Sequence, residues 1–292
     1  MMSSNFGINN VNLSIEEIID RKIKRVEVCL GSRCEYEDCL ISALDTIEKC
    51  EANDIKYSIH LPLYVFDWYE YDYLDAFYLS KDDDLRETSF KLLEENLKRT
   101  AVMNAEYLVI HFPGINHNDT DFNDFDGFLN KSLKRVNDLA IKYDSKILLE
   151  YFGSNIMFND YNEWIEKIPK YSNLGVLVDT GHLYFASKLV GFNFEEAFEI
   201  LKKEVFAFHF WTTKGQEYYM NNKFYKRYHH IIPNINQRKA DDWAFDVEEI
   251  FNQMIEENKP IIIEASNSYK GHEYFLESLD GMLNLYRERC IK

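Results

Sequence analysis

Cysteine is scarce and forms no motif. The five residues Cys29, Cys34, Cys39, Cys50 and Cys290 are odd in number and include no C-x-x-C pair. Neither a disulfide framework nor a thiolate zinc site is expected, and the thiols read as reduced. The chain also lacks any run of the ~18 consecutive apolar residues that a membrane span requires. Its polar start, Met1-Met-Ser-Ser-Asn, has neither the basic nor the apolar region of a signal peptide. The expectation is a soluble, cytoplasmic protein with no membrane partner. Basic charge is in deficit as well, with 33 Lys and Arg against 50 Asp and Glu and a formal net charge of −17. Because affinity for nucleic acid rests largely on Lys and Arg neutralising phosphates, this balance makes a nucleic acid the less favoured partner unless bases are concentrated locally. Finally, no linker, low-complexity tract or shift of composition divides the chain, so residues 1–292 read as a single domain.

What is present is enough for a full core: 46% of residues are hydrophobic, and 20 Tyr and 21 Phe suit an aromatic core and an aromatic-lined pocket. Apolar runs alternate with amphipathic stretches from end to end. Candidate strands are Phe6–Asn9, Arg25–Leu30, Tyr57–Leu61, Tyr107–Phe112, Lys146–Phe152, Leu174–Asp179, Val205–Trp211 and Pro260–Ala265. Between them, Leu85–Asn104 and Phe125–Tyr143 carry apolar residues at helical spacing. Ser14, Asp84 and Asn193, each followed by acidic residues, read as helix N-caps. Eight βα units joined by right-handed crossovers close into a (β/α)8 TIM barrel. The connections after strands three and seven are long. The first is rich in aromatics between Tyr64 and Tyr78, and the second mixes aromatics with bases after Thr212. Both fall at the end of a barrel where loops shape substrate pockets.

Six of the apolar runs stop on a metal-ligand type: His60, His111, Glu150, Asp179, His209 and Glu264, about 30 to 55 residues apart. A single His at a strand end is ordinarily a satisfied core or rim residue. Six endings in phase are better explained by a parallel sheet whose C-terminal edge is a ring of imidazoles and carboxylates, where α/β enzymes place their chemistry. Glu150, Asp179, His209 and Glu264 come from strands five to eight and form the core of the expected metal site. Their mixed oxygen and nitrogen donors suit a divalent ion, Zn²⁺ or Mn²⁺ first and Mg²⁺ or Co²⁺ as well, since a cation relieves the repulsion among three carboxylates. His182, three residues beyond Asp179, can bind a second ion or hydrogen-bond a substrate hydroxyl. His229 in the long loop is a further candidate ligand, with His230 equally able to take its place. His60 and His111, from strands three and four, are further candidate ligands. Lys226, Arg227 and Arg238 are bases available to a substrate phosphate. The aromatic loop can equally be a hydrophobic lid packing on itself, or on a second subunit of a homo-oligomer, and a surface for ligand stacking.

Taken in order, His60-x-Pro, Ile110-His111-Phe-Pro-Gly, Leu149-Glu150, Asp179-Thr-Gly-His182, His209 and Ile263-Glu264 resemble the xylose-isomerase-like TIM barrels. That group includes sugar isomerases and epimerases and the DNA-repair enzyme endonuclease IV, and the likeness runs from about Ile55 to Ser266. In the ketose-epimerase branch the resemblance implies that the residues matching Glu150, Asp179, His209 and Glu264 hold one metal. There the two glutamates also exchange a substrate proton. In the endonuclease IV branch it implies that His60, His111 and His182, with an Asp-x-His pair, join those four to hold three zinc ions. Here the pair departs from the pattern: if His229 is its histidine, the aspartate position is Arg227, which cannot ligate a cation.

The leading expectation is a divalent-metal-dependent isomerase or epimerase of a sugar or sugar phosphate. Glu150 and Glu264 would transfer the proton, and His182 would orient the substrate. The alternative is a phosphoester hydrolase with a multinuclear zinc site, acting on abasic-site DNA or a small phosphodiester. A multi-iron redox barrel is the third class.

Overall fold

The computed structural model describes residues 5–29, 36–72, 76–114, 122–153, 155, 157–215 and 230–290. Strands β1 (Phe6–Asn9), β2 (Arg25–Val28), β3 (Lys56–His60), β4 (Leu108–Phe112), β5 (Ile147–Tyr151), β6 (Leu174–Asp179), β7 (Ala207–Phe210) and β8 (Ile261–Ile263) pair in sequence order as a closed barrel. The helices among the described residues are α1 (Ile15–Asp20), α2 (Tyr36–Ala52), α3 (Asp83–Thr100), α4 (Phe125–Lys142), α5 (Tyr161–Lys167), α6 (Thr180–Val190), α7 (Phe194–Glu204), α8 (Val247–Glu256) and α9 (Gly271–Cys290). This is the (β/α)8 architecture that the alternation of apolar runs predicts. Among the described residues, no helix is long and apolar enough to cross a membrane.

Residue contacts divide the chain into two compact units, Met1–Val26 with Val178–Lys292, and Glu27–Leu177. In the Glu27–Leu177 unit, β4 and β5 pair in parallel over five residues, from Leu108↔Ile147 to Phe112↔Tyr151, with His111 opposite Glu150. Its helices turn apolar faces inward. In α4 the buried residues Leu129, Leu133, Val136 and Ala140 recur at three- and four-residue spacing. The outer layer is aromatic: Tyr78 stacks on Phe112 at 5.7 Å, and Phe158 stacks on Trp164 at 4.8 Å. In the other unit, Phe194 stacks on Phe245 and Phe210 on Phe251, with centroids 5.0 and 5.5 Å apart. Fully burying a side chain of this size is worth about 1.5–3 kcal/mol. Much of the chain's aromatic content therefore lies between sheet and helices.

Local signals act largely as read. Ser14 forms a capping box with Glu17, and the side chain of Asn193 accepts from Glu196 N. The cap of α3 is a correction, because Asp82 rather than Asp84 accepts from the N–H groups of residues 84 and 85. In the run Asp82-Asp-Asp, only the first carboxylate lies one turn ahead of those donors. Cys50 and Cys290 are free thiols, and burial pushes the Cys50 thiol up to about 12, leaving it an inert core residue.

The aromatic connection after β3 folds onto itself and onto α3. Tyr64, Phe66, Trp68, Tyr69, Tyr71 and Phe77 follow one another in ring contacts of 4.6–6.0 Å. Asn96 of α3 holds Tyr64 by both backbone groups, while Lys91 lies over Trp68 and Arg99 over Phe66. Of the two readings of this loop, self-packing is the one its rings satisfy.

Candidate metal centre

In the Glu27–Leu177 unit, β3, β4 and β5 deliver His60, His111 and Glu150. Ligand atoms of the three lie within 4.8 Å of one another. The fully buried Glu150 carboxylate is the hub: His60 Nε2 is 3.1 Å and His111 Nε2 3.4 Å from its Oε2. The two rings lie 4.8 Å apart, and His111 sits edge-on to Phe152. His60-Leu61-Pro62 and His111-Phe112-Pro113 both end in cis X-Pro bonds. His60 Nδ1 lies 3.2 Å from the Leu61 carbonyl oxygen. A carbonyl only accepts, so Nδ1 carries a proton. Nε2 then faces Glu150 either as the second N–H of an imidazolium or as a lone pair that needs a cation between the two groups.

In the other unit, Asp179, His209 and Glu264 come from the ends of β6, β7 and β8, again with ligand atoms within 4.8 Å of one another. Phe208 and Phe210 pack outward on Phe198, Phe245 and Phe251, so alternation turns His209 inward. His209 Nδ1 stands 2.8 Å from Glu264 Oε2, yet among the described residues that buried oxygen has no partner in hydrogen-bond geometry. Asp179 ends β6 and caps α6 in one step, its Oδ1 accepting from His182 N at 2.8 Å. Its Oδ2 accepts from Trp211 Nε1 at 2.5 Å. His182 is buried edge-on to Trp211 and to His230, whose ring lies 4.3 Å from Trp211. His230 Nδ1 comes 3.9 Å from Glu264 Oε1.

The donor set fits a divalent ion. Ligand bonds of about 2.0–2.2 Å put donors on opposite sides of such an ion at most ~4.4 Å apart, so a cluster within 4.8 Å needs only small shifts to close on one. Two carboxylates with one imidazole supply the charge, and Glu264 Oε2 supplies a buried acceptor without a donor.

Across the chain, a family model described as xylose isomerase-like TIM barrel matches residues 35–285. The chain belongs to that family. Its curated relatives include an uncharacterized protein of Methanocaldococcus jannaschii, 25% identical over 60% of this chain and 64% of that one. Another is a "Probable endonuclease 4" of Halothermothrix orenii, 29% identical over 36% of this chain and 38% of that one. The chain thus matches less than two thirds of the length of either relative. Similar solved structures include the 3-keto-D-glucoside 4-epimerase YcjR of E. coli, with a TM-score of 0.62 and 11% identity over 96% of this chain and 99% of that one. Endonuclease IV of Thermus thermophilus has a TM-score of 0.58 and 16% identity over 97% of this chain and 99% of that one. At such identities these likenesses speak for the fold.

Within this member of the xylose isomerase-like family, His60, His111 and Glu150 come together in one unit, and Asp179, His182, His209 and Glu264 in the other. Arg238 pairs with Glu248 at 2.7 Å. His229, Lys226 and Arg227 lie outside the described residues. Trp211, which donates to Asp179, is a neighbour of the acidic cluster that sequence reasoning did not assign. It lies two residues beyond His209, on the same face by strand alternation, and that spacing is the signal that identifies it.

Proposed function

We propose that this chain is a divalent-metal-dependent isomerase or epimerase of a sugar or sugar phosphate. Glu150, Asp179, His209 and Glu264 would hold one ion, Zn²⁺ or Mn²⁺ first. The observation that carries the reading is the acidic set Asp179, His209 and Glu264, with the buried Glu264 Oε2 lacking a hydrogen-bond donor. Glu150 is assigned to the same ion because it stands at the C-terminal end of its own strand, β5, as the other three do at the ends of β6, β7 and β8. A bound dication draws electron density from adjacent carbonyl and hydroxyl oxygens and so eases loss of the C–H proton beside them. Glu150 and Glu264 take that proton and return it, a role worth about 10²–10⁴ in rate. Trp211 and the His182 amide fix the Asp179 carboxylate, and the His182 side chain orients a substrate hydroxyl. Lys226, Arg227 and Arg238 are the bases assigned to a phosphate where the substrate carries one. We also take residues 1–292 as one domain, since both unit boundaries fall inside strands, β2 and β6, and not in linkers. The free thiols fit a cytoplasmic location.

The test is elemental analysis of the purified protein together with solvent-deuterium incorporation into D-fructose. One ion per chain and exchange that is lost in Glu150→Gln and Glu264→Gln are expected. Absence of exchange into any ketose would refute the reading.

A second reading, phosphoester hydrolysis at a multinuclear zinc site, draws on His60, whose Nδ1 is committed to a carbonyl while Nε2 faces Glu150. Metal-ligating histidines commonly donate their other N–H to such an acceptor. Two or three ions per chain, with abasic-DNA cleavage abolished in His111→Ala, would establish it over the first.

A further inference from the structure

Asn9 is the last residue of β1, is 6% exposed, and has a buried Oδ1 with no hydrogen-bond partner among the described residues. Its direction follows from the strand. Phe6 packs on Phe251 of α8 and Tyr286 of α9, so alternation turns Gly7 and Asn9 the other way, into the barrel. Gly7 bears this out, since a Cβ there would lie 2.8 Å from the Arg25 Cβ, a space only glycine leaves open. The register Gly7↔Ile262 and Ile8↔Ile263 then sets Asn9 level with Glu264, one residue on. Asn12 Nδ2 donates to the Ala265 carbonyl at 2.7 Å and ties the two strand exits together.

Two adjacent strand ends therefore each present a buried oxygen without a donor, Asn9 Oδ1 and Glu264 Oε2. They differ in chemistry. The carboxylate compensates a cation, whereas the neutral amide adds no charge and leaves a buried acceptor open. A hydroxyl, a neutral donor, is the group that matches it, and a phosphodiester, which has only acceptors, is not. We infer that Asn9 binds a hydroxyl of a polyhydroxylated, uncharged substrate beside Glu264, and so selects sugars and polyols over phosphodiesters. The inference rests on the isomerase reading for the identity of the site. An amide that hydrogen-bonds a substrate hydroxyl discriminates strongly against analogues lacking it, because its own polar atoms are then left unpaired.

The experiment uses the full-length protein loaded with Mn²⁺ and two probes, xylitol for binding and D-fructose for solvent-deuterium exchange. Calorimetry should show Asn9→Ala weakening xylitol about tenfold, the loss of roughly one hydrogen bond, while Mn²⁺ affinity stays within about threefold. KM for exchange should rise more than kcat falls. Asn9→Ser, which keeps a small donor and acceptor, should restore part of the xylitol affinity and guards against a folding defect in the alanine variant. Unchanged xylitol binding in Asn9→Ala would overturn the inference, as would a parallel loss of Mn²⁺. Xylitol binding that depends on Asn9, without exchange of any ketose, would uphold the inference and sink the isomerase reading. Exchange with an unchanged KM in Asn9→Ala would do the reverse. If wild type binds neither probe, both fail.

Discussion

The clusters at the strand ends of the two units are built from the same residue types in opposite proportion. In Glu27–Leu177, two imidazoles converge on one carboxylate oxygen of Glu150. In the other unit, two carboxylates share one imidazole, and their polar neighbours include an indole N–H, a backbone N–H and His230. The first set can be satisfied by protons alone, because imidazole N–H groups are donors and the carboxylate accepts. In the second, carboxylates outnumber the imidazole, and buried negative charge is costly unless a cation or a proton compensates it. The proportion of His to carboxylate thus ranks the two. The acidic cluster has the greater excess of carboxylate for a cation to offset, and the imidazole-rich one the smaller.

The sharpest test of that ranking is to remove one carboxylate from each cluster. Glu264→Gln should lower turnover by about 10²–10⁴ and release the ion, read by exchange assays and metal analysis. Glu150→Gln should lower turnover over the same range with a smaller loss of ion, because Asp179, His209 and Glu264 remain. Equal losses of metal would erase the distinction between the clusters. Next comes the indole. Trp211→Phe keeps the ring and removes the bond to Asp179, and metal affinity should fall about 10–100-fold with the melting temperature nearly unchanged. In the imidazole-rich unit, Asn96→Ala should free Tyr64 and destabilise the protein by about 1–3 kcal/mol. Hydrogen exchange should rise over residues 61–72, with metal affinity unaltered. The smallest effect is expected from His60→Ala, which should leave the first ion bound within about threefold. A loss of one whole ion per chain in that variant would move the ranking toward a multinuclear site.

The strand endings were readable from the sequence because a buried parallel strand is a short apolar run, and the polar residue that stops it stands out locally. The helix after Asp179 was harder to place, since nothing in Asp179-Thr-Gly-His182 says that strand and helix share a residue. Trp211 reads as one more apolar residue of a strand until its parity with His209 is counted. Asn9 was legible only as a strand end, because the absence of a partner is a property of the packed structure. The aromatic loop could not be decided from composition, as self-packing rings and ligand-stacking rings use the same residues. His229, Lys226 and Arg227 stay outside the described residues, so their assignment rests on sequence.

The junction at Asp179 has a bearing on how this family can vary. One carboxylate terminates β6, starts α6 and belongs to the candidate ion-binding set. Gly181 follows under the Trp211 indole, whose ring carbons would lie 2.3 Å from any added Cβ. A substitution at 179 therefore answers two questions at once, and most replacements confound them. Asparagine separates them, because it caps helices as well as aspartate does but carries no charge. Comparing Asp179→Asn with Asp179→Ala should isolate a capping contribution of about 1 kcal/mol from the ion's own stabilisation. Asn and Ser, which keep the cap without the charge, are therefore the neutral replacements that should cost the fold least at this position.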